Sequence, residues 1–203
     1  MFLSQLLINL RHRDARRDLS DRYELHRTLL GAFPENLPRE ERVLFRVEER
    51  PRQPYVTVLV QSQELPDWGK SERLNDPRYL FKLPDVRAVE ARVSAGLRLP
   101  FRLQANPTIK RDGKRHAIVS EDELALWLRR KGEQHGFTVD PQNVRNVKLG
   151  KCYGRRRKRT WHAVQFDGAL QVSQPEAFAA ALRSGVGSGK AFGFGLLSVP
   201  YTA

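Results

Sequence analysis

The sequence has one cysteine, one methionine and no apolar run near the roughly 20 residues of a membrane-spanning helix. Each shortage excludes something. A lone thiol, Cys152, rules out an intramolecular disulfide and any thiolate zinc cluster, and it fits a cytoplasmic location. The apolar start, Met1-Phe2-Leu3-Ser4-Gln5-Leu6-Leu7-Ile8, is short and lacks a basic leader, so it reads as structure and not as a signal peptide. No membrane partner is expected. His12, His116, His135 and His162 lack ligand spacing to another His, Cys or carboxylate, and no carboxylate pair suits Mg²⁺. No metal or other cofactor is expected.

Negative charge is scarce too. Against 36 Lys and Arg stand 23 Asp and Glu, a formal net charge of +13. The excess is clustered. Lys151, Arg155, Arg156, Arg157, Lys158 and Arg159 place six cations in nine residues, and no acidic residue lies between 141 and 166. Lys110, Arg111, Lys114 and Arg115 form a second cluster, and Arg11, Arg13, Arg16 and Arg17 a third. Like charges held together destabilise a fold unless a polyanion neutralises them. Six neutralised phosphates would make affinity fall about a thousandfold between 50 and 200 mM salt.

Hydrophobic residues make up 40% of the chain, enough for a folded core. Leu3 to Asn9 reads as a strand. A helix follows from Asp21, with Glu24 completing a capping box and Leu25, Leu29, Ala32 and Phe33 forming its apolar face. Val43–Val47 and Tyr55–Val60 read as strands, residues 64 to 96 as a helix of uncertain limits among Pro66, Pro77 and Pro84, and Leu97–Ala105 as an alternating strand. The basic stretch Asn106–Arg115 looks like a joint. Beyond it, His116–Val119 reads as a strand and Ser120/Glu123 opens a helix stopped at Gly132. Strands follow near Val144–Leu149 and Trp161–Phe166, then a helix from Ser173/Glu176 to Gly185 and a last strand at Leu196–Val199. The pattern is β-α-β-β-α-β twice: an α+β chain of two tandem ferredoxin-like (RRM-like) domains, 1–108 and 109–203.

Two features carry chemistry. Tyr23 and His26 are three residues apart on the first helix, so they share a face off the Leu25/Leu29 stripe, with Arg27 adjacent. An imidazole titrating near neutrality, a phenol and a guanidinium are what metal-free RNA cleavage by the 2′-hydroxyl needs. An ordinary surface Tyr-His pair fits the same spacing. The segment Gly185–Gly195 has five glycines and Lys190. It is neither a Walker loop nor a dinucleotide fingerprint, and it suits either phosphate contact or a tight connection.

The chain resembles the CasE family, the CRISPR repeat-processing endoribonuclease of the type I-E Cascade complex. The likeness is carried by Tyr23-Glu24-Leu25-His26-Arg27, Leu44-Phe45-Arg46-Val47-Glu48, Val58-Leu59-Val60-Gln61-Ser62, Leu99–Pro107, Gly113-Lys114-Arg115 and the glycine-rich end through Leu196-Leu197-Ser198. The resemblance implies metal-independent cleavage of precursor CRISPR RNA at the 3′ base of the repeat stem-loop. A 5′-hydroxyl and a 2′,3′-cyclic phosphate would form, and the mature guide RNA would be retained among other Cascade subunits. It implies His26 and Tyr23 as catalytic residues and the Arg155–Arg159 region as an RNA-gripping hairpin. Arg27, Lys110, Arg111, Lys114, Arg115, Lys151 and Lys190 complete the expected RNA contacts. Gln104 stands where the family pattern leads one to expect arginine. A non-catalytic hairpin-RNA-binding protein is the alternative.

Overall fold

The computed structural model describes the chain except for residues 39–41, 155–158 and 202–203, and for 153, 154 and 159 it describes the backbone alone. Two antiparallel sheets carry the fold, each with helices on one face. The first contains β1 (Phe2–Asn9), β2 (Leu44–Glu48), β3 (Tyr55–Ser62) and β4 (Asp85–Ala88), in the order β2-β3-β1-β4. Strand alternation turns Leu6, Ile8, Phe45, Val47, Val56, Val58 and Val60 to one face. There they meet Ala15 of α1 (Arg13–Ser20) and Leu25 and Leu29 of α2 (Arg22–Leu30). Asp21 ends α1 and begins α2, its side chain accepting the Tyr23 N–H at 3.0 Å.

The second sheet contains β5 (Arg98–Ala105), β8 (Phe137–Val139), β9 (Arg145–Gly154), β10 (Arg159–Val172) and β11 (Leu197–Ser198). Its order is β11-β5-β10, with β8 and β9 sharing the far edge of β10. Helices α3 (Glu121–Gln134) and α4 (Pro175–Ser184) cover it through Leu124, Trp127, Leu128, Phe178, Ala181 and Leu182. Between β5 and α3, β6 (Thr108–Arg111) and β7 (Lys114–Ala117) form a separate hairpin. Its tip is Asp112-Gly113, both with positive φ, as a tight two-residue turn requires.

Four expectations need correction. The strand at 97–105 does not close the first sheet, because β5 pairs with β10 of the second; a division at 108 would cut the second sheet off from its own strand. The stretch 64–96 forms turns and β4 rather than a helix, with prolines at 66, 77 and 84 interrupting any continuous hydrogen-bond ladder. The basic joint and the strand at 116–119 are together the β6–β7 hairpin. At the helix starts, Ser120 caps α3 without a side-chain hydrogen bond, and α4 begins at Pro175 because proline is favoured in the first helical position. The sequence also gave no sign of α1, whose face is almost wholly polar; only Ala15 and Asp18 are buried on it.

Asp18 anchors α2 from behind. Its carboxylate is fully buried and accepts hydrogen bonds from Thr28 Oγ1 of α2 at 2.8 Å and from the Tyr79 hydroxyl at 3.0 Å, with Arg73 completing the set. The Thr28 carbonyl in turn accepts from Ser71 Oγ at 2.9 Å. Burial and the neighbouring carboxylate push the Tyr79 phenol well above its ordinary range. Replacing Asp18 with Ala should lower stability by about 2–4 kcal/mol, because it strands a guanidinium and two hydroxyls. Urea unfolding measures this, and a change below about 0.5 kcal/mol, as for an ordinary surface position, would contradict the anchoring role.

Candidate functional site

Helical geometry puts Tyr23 and His26 together on α2, with ring centroids 6.5 Å apart and both side chains half-buried. The His26 ring stacks on Phe45 of β2 at 6.0 Å with an interplanar angle of 14°. Its Nδ1 is buried and has no hydrogen-bond partner among the described residues. Burial lowers the imidazole from 6.5 to about 4, so it is neutral at pH 7 and takes up a proton only when an anion comes close. On its open side the imidazole lines a cavity of about 770 Å³ with Leu30, Phe33, Arg42, Val43 and Lys190.

Lys190 comes from the other half of the chain. It starts a single 3-10 turn, Lys190–Phe192, bracketed by Gly189 (φ 83°) and Gly193 (φ 81°). The turn packs closely on α2 and β2. A Cβ added to Gly193 would lie 2.9 Å from the Phe45 ring, and Phe192 packs 6.1 Å from Tyr23 and stacks at 3.8 Å on Trp161 of β10. The ends of the two sheets are also tied together: Arg46, 3% exposed, donates to Glu48 at 2.8 Å and to Ser198 Oγ of β11 at 2.8 Å, and Glu48 also pairs with Arg102 of β5.

A second groove, of about 570 Å³, opens on the far side of Lys190. Lys110 and Arg115, cross-strand partners in the β6–β7 hairpin, form one wall, and Arg130, Lys131 and His135 of the α3 end form the other. Desolvation, and then Arg42 and Lys131, lower the Lys190 ammonium; desolvation, and then Lys131 and Lys190, lower the His135 imidazole. Lys131 depresses both groups, and an anion in the groove would raise them again.

The other expected contacts are dispersed. Arg27 is exposed and 3.5 Å from Glu24, and Arg111 is held by Glu123. Lys114 is exposed on the hairpin beside its tip. Lys151 lies apart from His26, in a cleft between the sheets with Arg22, Arg102, Gln104 and Cys152. Arg155, Arg156, Arg157 and Lys158 lie outside the described residues; Arg159 begins β10. The arginines of α1 are largely satisfied within the protein: Arg16 donates to the Leu10 and Arg11 carbonyls, and Arg17 pairs with Asp14 and Asp18. Gln104 is 6% exposed and donates to Gln165 Oε1 at 3.0 Å. Sequence reasoning missed Arg42, Arg130, Lys131 and His135. For α3 a signal existed, since Trp127, Arg130 and Lys131 stand at i, i+3 and i+4, on one helical face.

The family described as CRISPR associated protein matches residues 1–200. The chain belongs to that family. Among its CRISPR associated relatives is the CRISPR-associated endoribonuclease Cse3 of Thermus thermophilus, 39% identical over 98% of this chain and 99% of that protein. The CRISPR system Cascade subunit CasE of Escherichia coli K12 is 28% identical over 98% of each. A structure of Thermus thermophilus Cse3 bound to an RNA representing a pre-cleavage complex superposes with a TM-score of 0.87 at 38% identity, covering 98% of both chains. Among the described residues, no helix of this family member is long and apolar enough to cross a membrane, and no three His, Cys, Asp or Glu converge to hold a metal ion.

The low pKa of His26 makes a measurable prediction. NMR titration of the free protein should show His26 changing charge near pH 4, and an uncleavable RNA that brings a phosphate beside it should raise that midpoint. The folded pKa lies below the ordinary 6.5, so the unfolded chain binds the extra proton between these values, and this group erodes stability as pH falls from 6.5 toward 4. A midpoint of 6.5 in the free protein would contradict the desolvated site.

Proposed function

We propose that the protein is a metal-independent endoribonuclease that cleaves precursor CRISPR RNA at the 3′ base of the repeat stem-loop and keeps the mature guide as a Cascade subunit. The observation that carries this reading is the cavity that His26 of α2 and Lys190 of the glycine-rich turn line together, with Lys190 also lining the basic groove. The names of the relatives, an endoribonuclease and a Cascade subunit, agree with it. So does the second of the two sheets: its first strand, β5, lies between its last two, β10 and β11, as β1 lies between β3 and β4 in the first, with β8 and β9 together on the far edge of β10. We read this as the ferredoxin-like order and place the division between the halves within 89–97.

In this mechanism the 2′-oxygen attacks the adjacent phosphorus, the bond to the 5′-oxygen breaks, and a 2′,3′-cyclic phosphate and a 5′-hydroxyl form. The neutral imidazole of His26 suits removal of the 2′-hydroxyl proton. A phosphate at close range then raises its pKa and stabilises the imidazolium, whose proton the departing 5′-oxygen requires. Tyr23 helps to orient the phosphate, and the Lys190 ammonium offsets the charge that builds on it. The stem lies against Lys110, Arg115, Arg130, Lys131 and His135.

His26→Ala should bind repeat RNA as the parent does and cut it at least about a hundredfold more slowly, in EDTA as in buffer. A 2′-deoxy substitution at the cut site should leave binding intact and abolish cutting. Undiminished cutting by the variant, or cutting that stops in EDTA, would overturn the mechanism. Binding without any cutting by the parent protein would make it a hairpin-RNA holder instead.

A further inference from the structure

The glycine-rich turn buttresses both residues of the candidate cleavage pair. We infer that Phe192 is a positioning residue for Tyr23, holding the phenol toward the scissile phosphate through a three-ring ladder, Tyr23–Phe192–Trp161. The inference rests on the cleavage reading above and assigns the glycine-rich segment a role beyond phosphate contact.

Four observations support it. Phe192 packs between Tyr23, at 6.1 Å, and Trp161, at 3.8 Å, so it links a helix of the first sheet to a strand of the second. Trp161 is 8% exposed and belongs with Ala163 and Phe194 to a small apolar cluster distinct from the two main cores, against which Phe192 packs; the outer end of the ladder is therefore fixed. The backbone places the ring: Gly189 and Gly193, both left-handed, close the turn on either side of it. The adjacent residue performs the matching task for the histidine, since Gly193 lies against Phe45 with no room for a Cβ and His26 stacks on Phe45.

A ring so placed acts through geometry. A displacement of the catalytic group by about 1 Å is enough to slow a reaction about a hundredfold without weakening substrate binding. A leucine at 192 fills part of the space but cannot stack on Trp161 or tile against Tyr23, whereas a tyrosine keeps the ladder.

The test is a double-mutant cycle on single-turnover cleavage of repeat RNA, with RNA affinity and thermal unfolding measured on each variant. Phe192→Leu should slow cleavage about tenfold to a hundredfold at unchanged RNA affinity. Phe192→Tyr should restore the parent rate. In a Tyr23→Phe background, Phe192→Leu should cause little further loss, because the phenol it positions is gone. Parent-like cleavage by Phe192→Leu overturns the proposal, as does an equal loss in both backgrounds. If Phe192→Leu fails to fold, a Phe192→Tyr variant that folds but does not cut at the parent rate overturns it too. His26→Ala separates the two levels: full cleavage there overturns the cleavage site itself, while its loss beside a parent-like Phe192→Leu overturns only the positioning role.

Discussion

At Gly193 the glycine-rich turn lies so close to the Phe45 ring that any side chain there would stand 2.9 Å from it. Gly193 has a left-handed φ, so residues with a Cβ are disfavoured there on conformational grounds as well. This close approach sets where the second half of the chain rests on the first. It fixes the underside of His26 through Phe45, aligns Phe192 with Tyr23 and brings Lys190 to the mouth of the His26 cavity. From behind, the buried Asp18 ties α2 to α1 and to the turns at 71–79. Helix α2 is thus held on two sides, and the His26 cavity is lined from both halves of the molecule.

The positive charge becomes intelligible on this frame. A net +13 by itself says only that a polyanion is a suitable partner. The structure sorts it. Arg16 and Arg17 of α1 are engaged by carbonyls and carboxylates, and Lys151 faces the cleft between the sheets. Lys110, Arg115, Arg130, Lys131, His135 and Lys190 converge on one groove, where burial and mutual repulsion lower Lys131, His135 and Lys190. Charges kept close at such a cost to their own protonation suit an anion, and Lys190 lines both this groove and the His26 cavity.

What the sequence disclosed follows from what is local. The Tyr23/His26 face needs only the helical repeat, the buried stripe of Leu25 and Leu29 needs the same, and Gly185 ends α4 as its positive φ predicts. What stayed hidden depends on long-range pairing. The alternation of Leu99, Phe101 and Leu103 announces a strand but not its sheet, and β5 joins β10 some sixty residues on, with Val164 opposite Ala105. Residues 64–96 contain enough apolar side chains for a helix, yet Trp68, Leu74 and Tyr79 reach the core from turns. Arg130 and Lys131 look like an ordinary solvated helix face until the β6–β7 hairpin is placed opposite them. Family resemblance supplied the role expected of His26; spacing alone did not distinguish it from a surface pair.

The claim on which the rest depends is that cutting and gripping occur along one continuous surface, through Lys190. A structure of the protein with a repeat RNA blocked by a 2′-deoxy group at the cut site tests it most directly. The scissile phosphate should lie between His26 and Lys190, with the stem against Lys110, Arg115 and Arg130. A scissile phosphate bound instead in the cleft of Arg22, Arg102 and Lys151 would contradict the account.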